Sequence, residues 1–191
     1  MTIKLDENTI LYHGSYCEVR VPDLSKCAKD KDFGKGFYLT TSKEQAENFL
    51  KTSIVKAASA GIIPEKQDFG FVTSFRVRDL KGLCVKLFED ADKEWLHCIA
   101  AHRKSSVFQE LKHDLADCDI IGGKIADDMT NITLVTYISG AFGEIGSDEA
   151  DSICIGRLLP ERLKDQFCFK TEKALEKLEF IEGEKVWLNK R

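Results

Sequence analysis

Two stretches of this chain hold side chains suited to gripping a flat, polar ligand. The first, Leu11-Tyr12-His13-Gly14-Ser15, sets an imidazole beside a glycine at the end of an apolar run. The ring supplies a hydrogen-bonding nitrogen, and the glycine leaves its own amide and carbonyl unobstructed. The second, Asp32-Phe33-Gly34-Lys35-Gly36-Phe37-Tyr38-Leu39-Thr40-Thr41, places aromatic rings next to a lysine flanked by glycines. Aromatic faces stack on planar rings, so the two stretches together describe a pocket for a nucleotide-like ligand.

Other candidate groups have plainer readings. Asp127 and Asp128 follow Gly122-Gly123 and suit an acceptor or a cation, yet two carboxylates alone bind a cation poorly and fit a helix start or turn better. Lys26, Lys29, Lys31 and Lys35 lie between the two main stretches. They suit a pyrophosphate or an anionic acceptor, but Asp30 and Asp32 alternate with them, which favours a solvated loop. His97 and His102 are five residues apart, not at the i, i+4 spacing of a metal-binding helix face, so they read as structural.

The elements that must position these residues follow from periodicity. Thr9 to Tyr12 is a short buried strand ending at His13, and residues 16–35 form a loop. Gly36 to Thr41 is a second strand. Ser42 with Gln45 matches a capping box, and Ala46, Phe49, Leu50, Ile54, Ala57 and Ala58 share a helix that Gly61 stops. Phe71–Val77 and Leu83–Leu87 read as paired strands about an Asp79–Gly82 turn. Asp92 caps a helix bearing Trp95, Leu96 and Ile99, and a short helix runs over 107–115. Asp119-Ile120-Ile121 is a strand that meets a glycine turn. Thr130–Ile138 is either helix or strand, and Glu149–Leu158 is a helix before Pro160. Gln166–Phe169 is a strand, Thr171 caps a helix holding Ala174, Leu175 and Leu178, and Val186–Leu188 forms a last strand. Helices and strands mix without a βαβ rhythm, which places the chain in the α+β class.

Composition bounds the rest. A chain of 191 residues, 43% hydrophobic and 31% charged, suits one soluble domain spanning 1–191. The start is charged and lacks a secretory apolar core, and no apolar run reaches membrane-spanning length, so a cytoplasmic protein is expected. Seven cysteines occur without a CxxC pair, which fits reduced thiols better than zinc or a disulfide framework. A net charge of −4 argues against broad nucleic-acid binding but leaves room for a local basic patch.

The Tyr-His-Gly-Ser opening and the Gly-Phe-Tyr-Leu-Thr-Thr segment resemble the first two motifs of the ADP-ribosyltransferase superfamily, in its diphtheria-toxin and poly(ADP-ribose) polymerase branch. The resemblance is closest to an uncharacterised bacterial family of that fold and extends to Asp119-Ile120-Ile121-Gly122 and Asp165-Gln166-Phe167-Cys168-Phe169. It implies two small split sheets around an NAD cleft, with flanking helices. It also implies roles. His13 bonds a ribose hydroxyl, Gly14 clasps the nicotinamide carboxamide through its backbone, and Tyr38 stacks on the nicotinamide. Ser15 and Gly36 belong to the same binding motifs. Phe49, eleven residues beyond Tyr38 on the next helix, closes the ring sandwich, although taken alone it reads as core.

Gln166 occupies the place where many relatives carry a catalytic glutamate. A glutamine orients ribose but offers no charge, and charge-assisted hydrogen bonds are roughly twice as strong as neutral ones. Transfer is therefore expected to be slower or assisted otherwise, and chain elongation is not expected. Glu172 is an alternative carboxylate, though it suits the first turn of a helix.

The resemblance implies an NAD-dependent mono-ADP-ribosyltransferase that releases nicotinamide, with His13, Tyr38 and Gln166 at the reacting centre and a protein or nucleic-acid acceptor. Relatives of this kind are often toxins of toxin–antitoxin or anti-phage systems, which implies an antitoxin partner. Two alternatives stay open: a non-catalytic NAD- or ADP-ribose-binding module, and an NAD glycohydrolase with water as acceptor. RNA phosphate chemistry of the tRNA 2′-phosphotransferase kind is less favoured by the acidic charge.

Overall fold

A seven-stranded sheet in the order β4-β5-β6-β2-β1-β3-β7 forms the middle of the computed structural model. The structure describes residues 3–29, 31–125, 128–158 and 163–188, with nothing said of the side chains of 128 and 129. The strands are β1 (Ile10–Ser15), β2 (Phe37–Thr40), β3 (Phe69–Val77), β4 (Val85–Leu87), β5 (Ile120–Lys124), β6 (Asp165–Phe169) and β7 (Leu178–Trp187). The helices are α1 (Lys43–Ser59), α2 (Lys93–Arg103), α3 (Gln109–Asp114), α4 (Asp128–Ile138), α5 (Asp148–Leu158) and α6 (Glu172–Leu175). Only β4 and β5 run parallel; the other neighbours are antiparallel. No helix among the described residues is long and apolar enough to cross a membrane.

The α+β class holds, but the sheet is continuous where two were expected. Its two halves, β4-β5-β6-β2 and β1-β3-β7, are joined through one residue pair, Tyr12 with Thr40. By contrast, β1 and β3 share six pairs and β2 and β6 share four. The sheet is thus pinched at its centre.

Alternation sorts the side chains onto two faces. Leu11, Phe37, Leu39, Phe75, Phe167 and Phe169 bury on one face with Ala174 and Leu175 of α6. On the other face Ile121 and Cys168 meet Trp95, Leu96 and Ile99 of α2, which α4 and α5 cover in turn. The same face of the second half carries α1, whose Ala46 and Leu50 pack on Val72. The helices start where their caps dictate. The Ser42 hydroxyl accepts from the Gln45 amide at 3.3 Å, and Asp92 accepts from the Trp95 amide at 3.0 Å.

Four sequence expectations are corrected. β3 does not pair with β4; it lies between β1 and β7, while β4 sits at the far edge beside β5. Gly122 and Gly123 are strand residues rather than a turn. A Cβ on Gly122 would lie 2.7 Å from Leu87 and one on Gly123 2.9 Å from Phe33 and Trp95, so close packing selects them. Leu178 opens β7, not the end of a helix, because α6 is a single turn. β7 itself runs ten residues rather than three. Thr130–Ile138 is helical, within α4. Asp128 opens that helix; Asp30, Asp127 and Pro160 lie outside the described residues.

Candidate functional site

The break between the two half-sheets places backbone groups that a sheet normally consumes. Val77 donates to the Thr9 carbonyl at 2.9 Å, so Thr9 and, by alternation, Leu11, His13 and Ser15 turn their backbone groups toward β3. Tyr12 and Gly14 therefore turn theirs toward β2. Tyr12 meets Thr40, and continuing that register would set Gly14 opposite Tyr38. Instead the Tyr38 carbonyl accepts from His13 Nδ1 at 2.8 Å. No residue of β2 stands opposite Gly14 among the described residues, so its amide and carbonyl border the gap.

The bond to a carbonyl settles the His13 tautomer, since a carbonyl only accepts. Nδ1 carries the proton, and Nε2 of the neutral ring is an acceptor. Burial pushes the His13 pKa below its ordinary value, partly opposed by the bond to Tyr38, so the neutral form holds at pH 7. The imidazole also lies against Phe37, with ring centroids 4.4 Å apart.

Gly14 is constrained from its other side as well. A Cβ there would stand 2.0 Å from the Ala46 carbonyl oxygen, so α1 lies directly on β1. Gly36 is explained by packing alone, because a Cβ would meet Cys168 Sγ at 2.4 Å and the Phe169 carbonyl at 2.7 Å. Ser15 closes β1, buried, opposite Phe71.

Tyr38 belongs to the face that carries α1 and α2, opposite the face that holds the His13 ring. Its hydroxyl donates to the Gly34 carbonyl at 2.8 Å and accepts from the Phe33 amide at 2.9 Å. Burial drives the phenol pKa far up, and the hydroxyl stays neutral. Phe49 is not core: it is 41% exposed while Ala46, Leu50, Ile54 and Ala57 bury the inner stripe of α1. Lys31 Nζ lies 5.8 Å from the centre of its ring.

Gln166, 8% exposed, donates from Nε2 to Asp32 Oδ2 at 2.9 Å and to the Lys124 carbonyl at 3.3 Å. Asp32 is held in turn by Arg103, with Nη2 at 2.6 Å and Nε at 3.0 Å from Oδ1. Arg103 reaches Asn131 through Nη1 at 2.7 Å, and Lys124 Nζ bonds Asp165 at 2.8 Å. Sequence reasoning missed Asp32 as a partner of Gln166. Its neighbours in the chain suggest a solvated loop, and only the packing of that loop beneath α2 buries it.

The histidines of α2 have structural partners. His97 Nε2 bonds Asp151 at 2.8 Å and the ring stacks on Phe108, while Tyr137 donates to the same carboxylate at 2.5 Å. His102 donates from Nδ1 to the Cys98 carbonyl at 2.9 Å. Glu172 starts α6, as a first-turn acid does. Two surface cavities stand out, and none of His13, Gly14, Tyr38, Phe49 or Gln166 lines either one.

A family model described as "Protein of unknown function (DUF3990)" matches residues 9–180, and the chain belongs to that family. No curated protein and no solved structure matches the chain.

Proposed function

We propose that this member of the DUF3990 family binds NAD at the β1–β2 break and transfers its ADP-ribose, releasing nicotinamide. The observation that carries the reading is the interrupted ladder. Gly14 lends a gap whose far side is Tyr38 an amide and carbonyl that no residue of β2 faces among the described residues, and a primary carboxamide needs that donor–acceptor pair. The neutral Nε2 of His13, on the sheet face opposite the Tyr38 ring, suits a ribose hydroxyl donor where the ligand crosses the break. Tyr38, with its phenol anchored on Phe33 and Gly34, offers a ring held in place for stacking. Phe49, exposed on the α1 side, is free to cover the opposite face of the nicotinamide once Lys31 moves aside.

In the reaction the bond from ribose to the nicotinamide nitrogen breaks and its electron pair leaves with nicotinamide. The acceptor forms the new bond to that ribose carbon and gives up a proton. Charge develops on the sugar as the bond breaks, so a carboxylate nearby lowers the barrier. Gln166 has none, but it holds Asp32 directly against itself, and Arg103 shares that carboxylate's charge. Transfer is therefore expected to be slow. In keeping with relatives of this kind, the biological setting we favour is a toxin governed by an antitoxin.

The test is to incubate the protein with NAD labelled in its nicotinamide ring and follow release, with and without cell extract. Release that rises with extract and disappears in His13→Ala supports transfer. Release that needs no extract marks a glycohydrolase. Saturable binding with no release in any extract marks a binding module, and absence of binding overturns the reading altogether.

A further inference from the structure

The larger of the two surface cavities, about 710 Å³, is an open groove with a consistent charge. Its walls come from three separate parts of the fold: the loop before β2, the α2–α3 region and the residue that follows β6. From these, Lys29, Lys35, Lys112, Lys170, His102 and His113 all line it, and among the described residues no acid does. In a chain of net charge −4, so many cations around one hollow are not explained by composition.

Nor are they explained by internal pairing. Among the described residues none of these four lysines takes part in an ion pair. Lys170 Nζ donates to the Leu115 carbonyl at 2.8 Å, a neutral acceptor that leaves the charge uncompensated and fixes it in place. The described acids nearest the groove do not line it. Glu110 and Asp114 line the adjoining hollow, which shares Gln109 and His113 with the groove, and Asp32 is committed to Arg103. Burial lowers the His102 pKa; the bond to the Cys98 carbonyl opposes this, while the nearby Lys170 and Lys112 charges add to it and Asp32 offsets part.

Like charges gathered without partners repel one another and are held together here only by the fold. Such an arrangement attracts a polyanion and concentrates it. The groove is open and its walls come from separate elements, unlike the enclosed pockets that hold small ligands. A flexible single strand can lay successive phosphates along an open, positively charged groove. We propose that this groove binds the phosphodiester backbone of a single-stranded nucleic acid. The wall residue Gly34 also receives the Tyr38 hydroxyl, so the strand lies one loop's thickness from the β1–β2 break. The proposal concerns binding alone and stands whether or not NAD is turned over.

The test is fluorescence anisotropy of labelled twelve-nucleotide RNA and DNA strands titrated with the full chain at several salt concentrations. Four lysine contacts predict a slope of log affinity against log salt of about −3, from roughly −0.7 per neutralised phosphate of a single strand. The triple variant Lys29→Gln, Lys35→Gln, Lys112→Gln should bind at least about tenfold more weakly and with a flatter slope. A control triple at exposed lysines elsewhere, Lys51→Gln, Lys66→Gln and Lys81→Gln, removes the same charge and should bind as wild type. Matching thermal melts confirm that both variants fold. Equal loss in the two triples, or failure of the wild type to bind either strand at low salt, overturns the proposal. So does displacement of the strand by ATP or NAD at the same phosphate concentration, which would assign the groove to a small phosphorylated ligand.

Discussion

Gln166 and Asp32 form the most informative pair of residues in this molecule. A glutamate at 166 would bring a second carboxylate within about 3 Å of Asp32, and two carboxylates that close cannot both ionise. Gln166→Glu is therefore expected to lose stability at pH 7, to regain part of it on acidification, and not to accelerate nicotinamide release. The exchanged double variant Asp32→Asn with Gln166→Glu restores one donor and one charge, so its urea midpoint should recover most of the loss. A double-mutant cycle measures this directly, and an additive result would refute the coupling.

Gly14→Ala tests the other side of the gap. With the Ala46 carbonyl only 2.0 Å from the new Cβ, α1 must move. We expect at least about 1–3 kcal/mol of lost stability, as for overpacking in a core. A midpoint within error of wild type would mean that α1 does not rest on β1 as described.

At the scale of the elements, helix starts determine how α1 and α2 flank the break. Asp92 takes the Trp95 amide at 3.0 Å, and the Trp95 indole in turn donates to the Lys124 carbonyl at 3.1 Å. The cap therefore fixes the helix that roofs β5 and β6. Asp92→Ala should cost about 0.5–2 kcal/mol, read from chemical denaturation. Asp92→Asn, which keeps an acceptor at the same position, should cost much less. The pinch between β1 and β2 belongs to this scale too. Hydrogen exchange should show the Gly14 amide far less protected than the Leu11 and His13 amides, which bond β3. Equal protection would mean that the ladder continues through Gly14.

For the whole molecule, acid sensitivity follows from buried or paired groups with lowered pKa, Asp119, His13 and His102 among them. Burial opposes ionisation of Asp119, but the Lys173 ammonium, the Thr171 hydroxyl and the Cys84 amide outweigh it and hold its pKa below the usual carboxylate value. Its contribution is complete above pH 4 and is lost as pH falls through the folded value. His13 acts earlier. Its unfolded form takes up a proton near pH 6.5 and its folded form only at lower pH, so stability declines as pH drops below 6.5. Melting temperature should be level from pH 7 to 8, fall modestly below 6.5, and fall again below 4. In His13→Asn the first decline should shrink to the share of His102, whose pKa burial also lowers, while the second remains.

The sequence alone determined what depends on local chemistry. Ser42 and Asp92 announced their helices because a short oxygen-bearing side chain meets free amides one turn on. Apolar periodicity placed the buried stripe of α1, and the glycines of the two motifs marked close approach. Only the tertiary structure decided which strands are neighbours, since pairing over a hundred residues leaves no local trace. It moved β4 to the far edge and lengthened β7, turned Phe49 outward and buried Asp32 against Gln166. It also gathered lysines from distant segments around one groove. The reason is the same in each case: local patterns report what a residue prefers beside its chain neighbours, whereas burial and charge pairing depend on what the fold brings across from elsewhere.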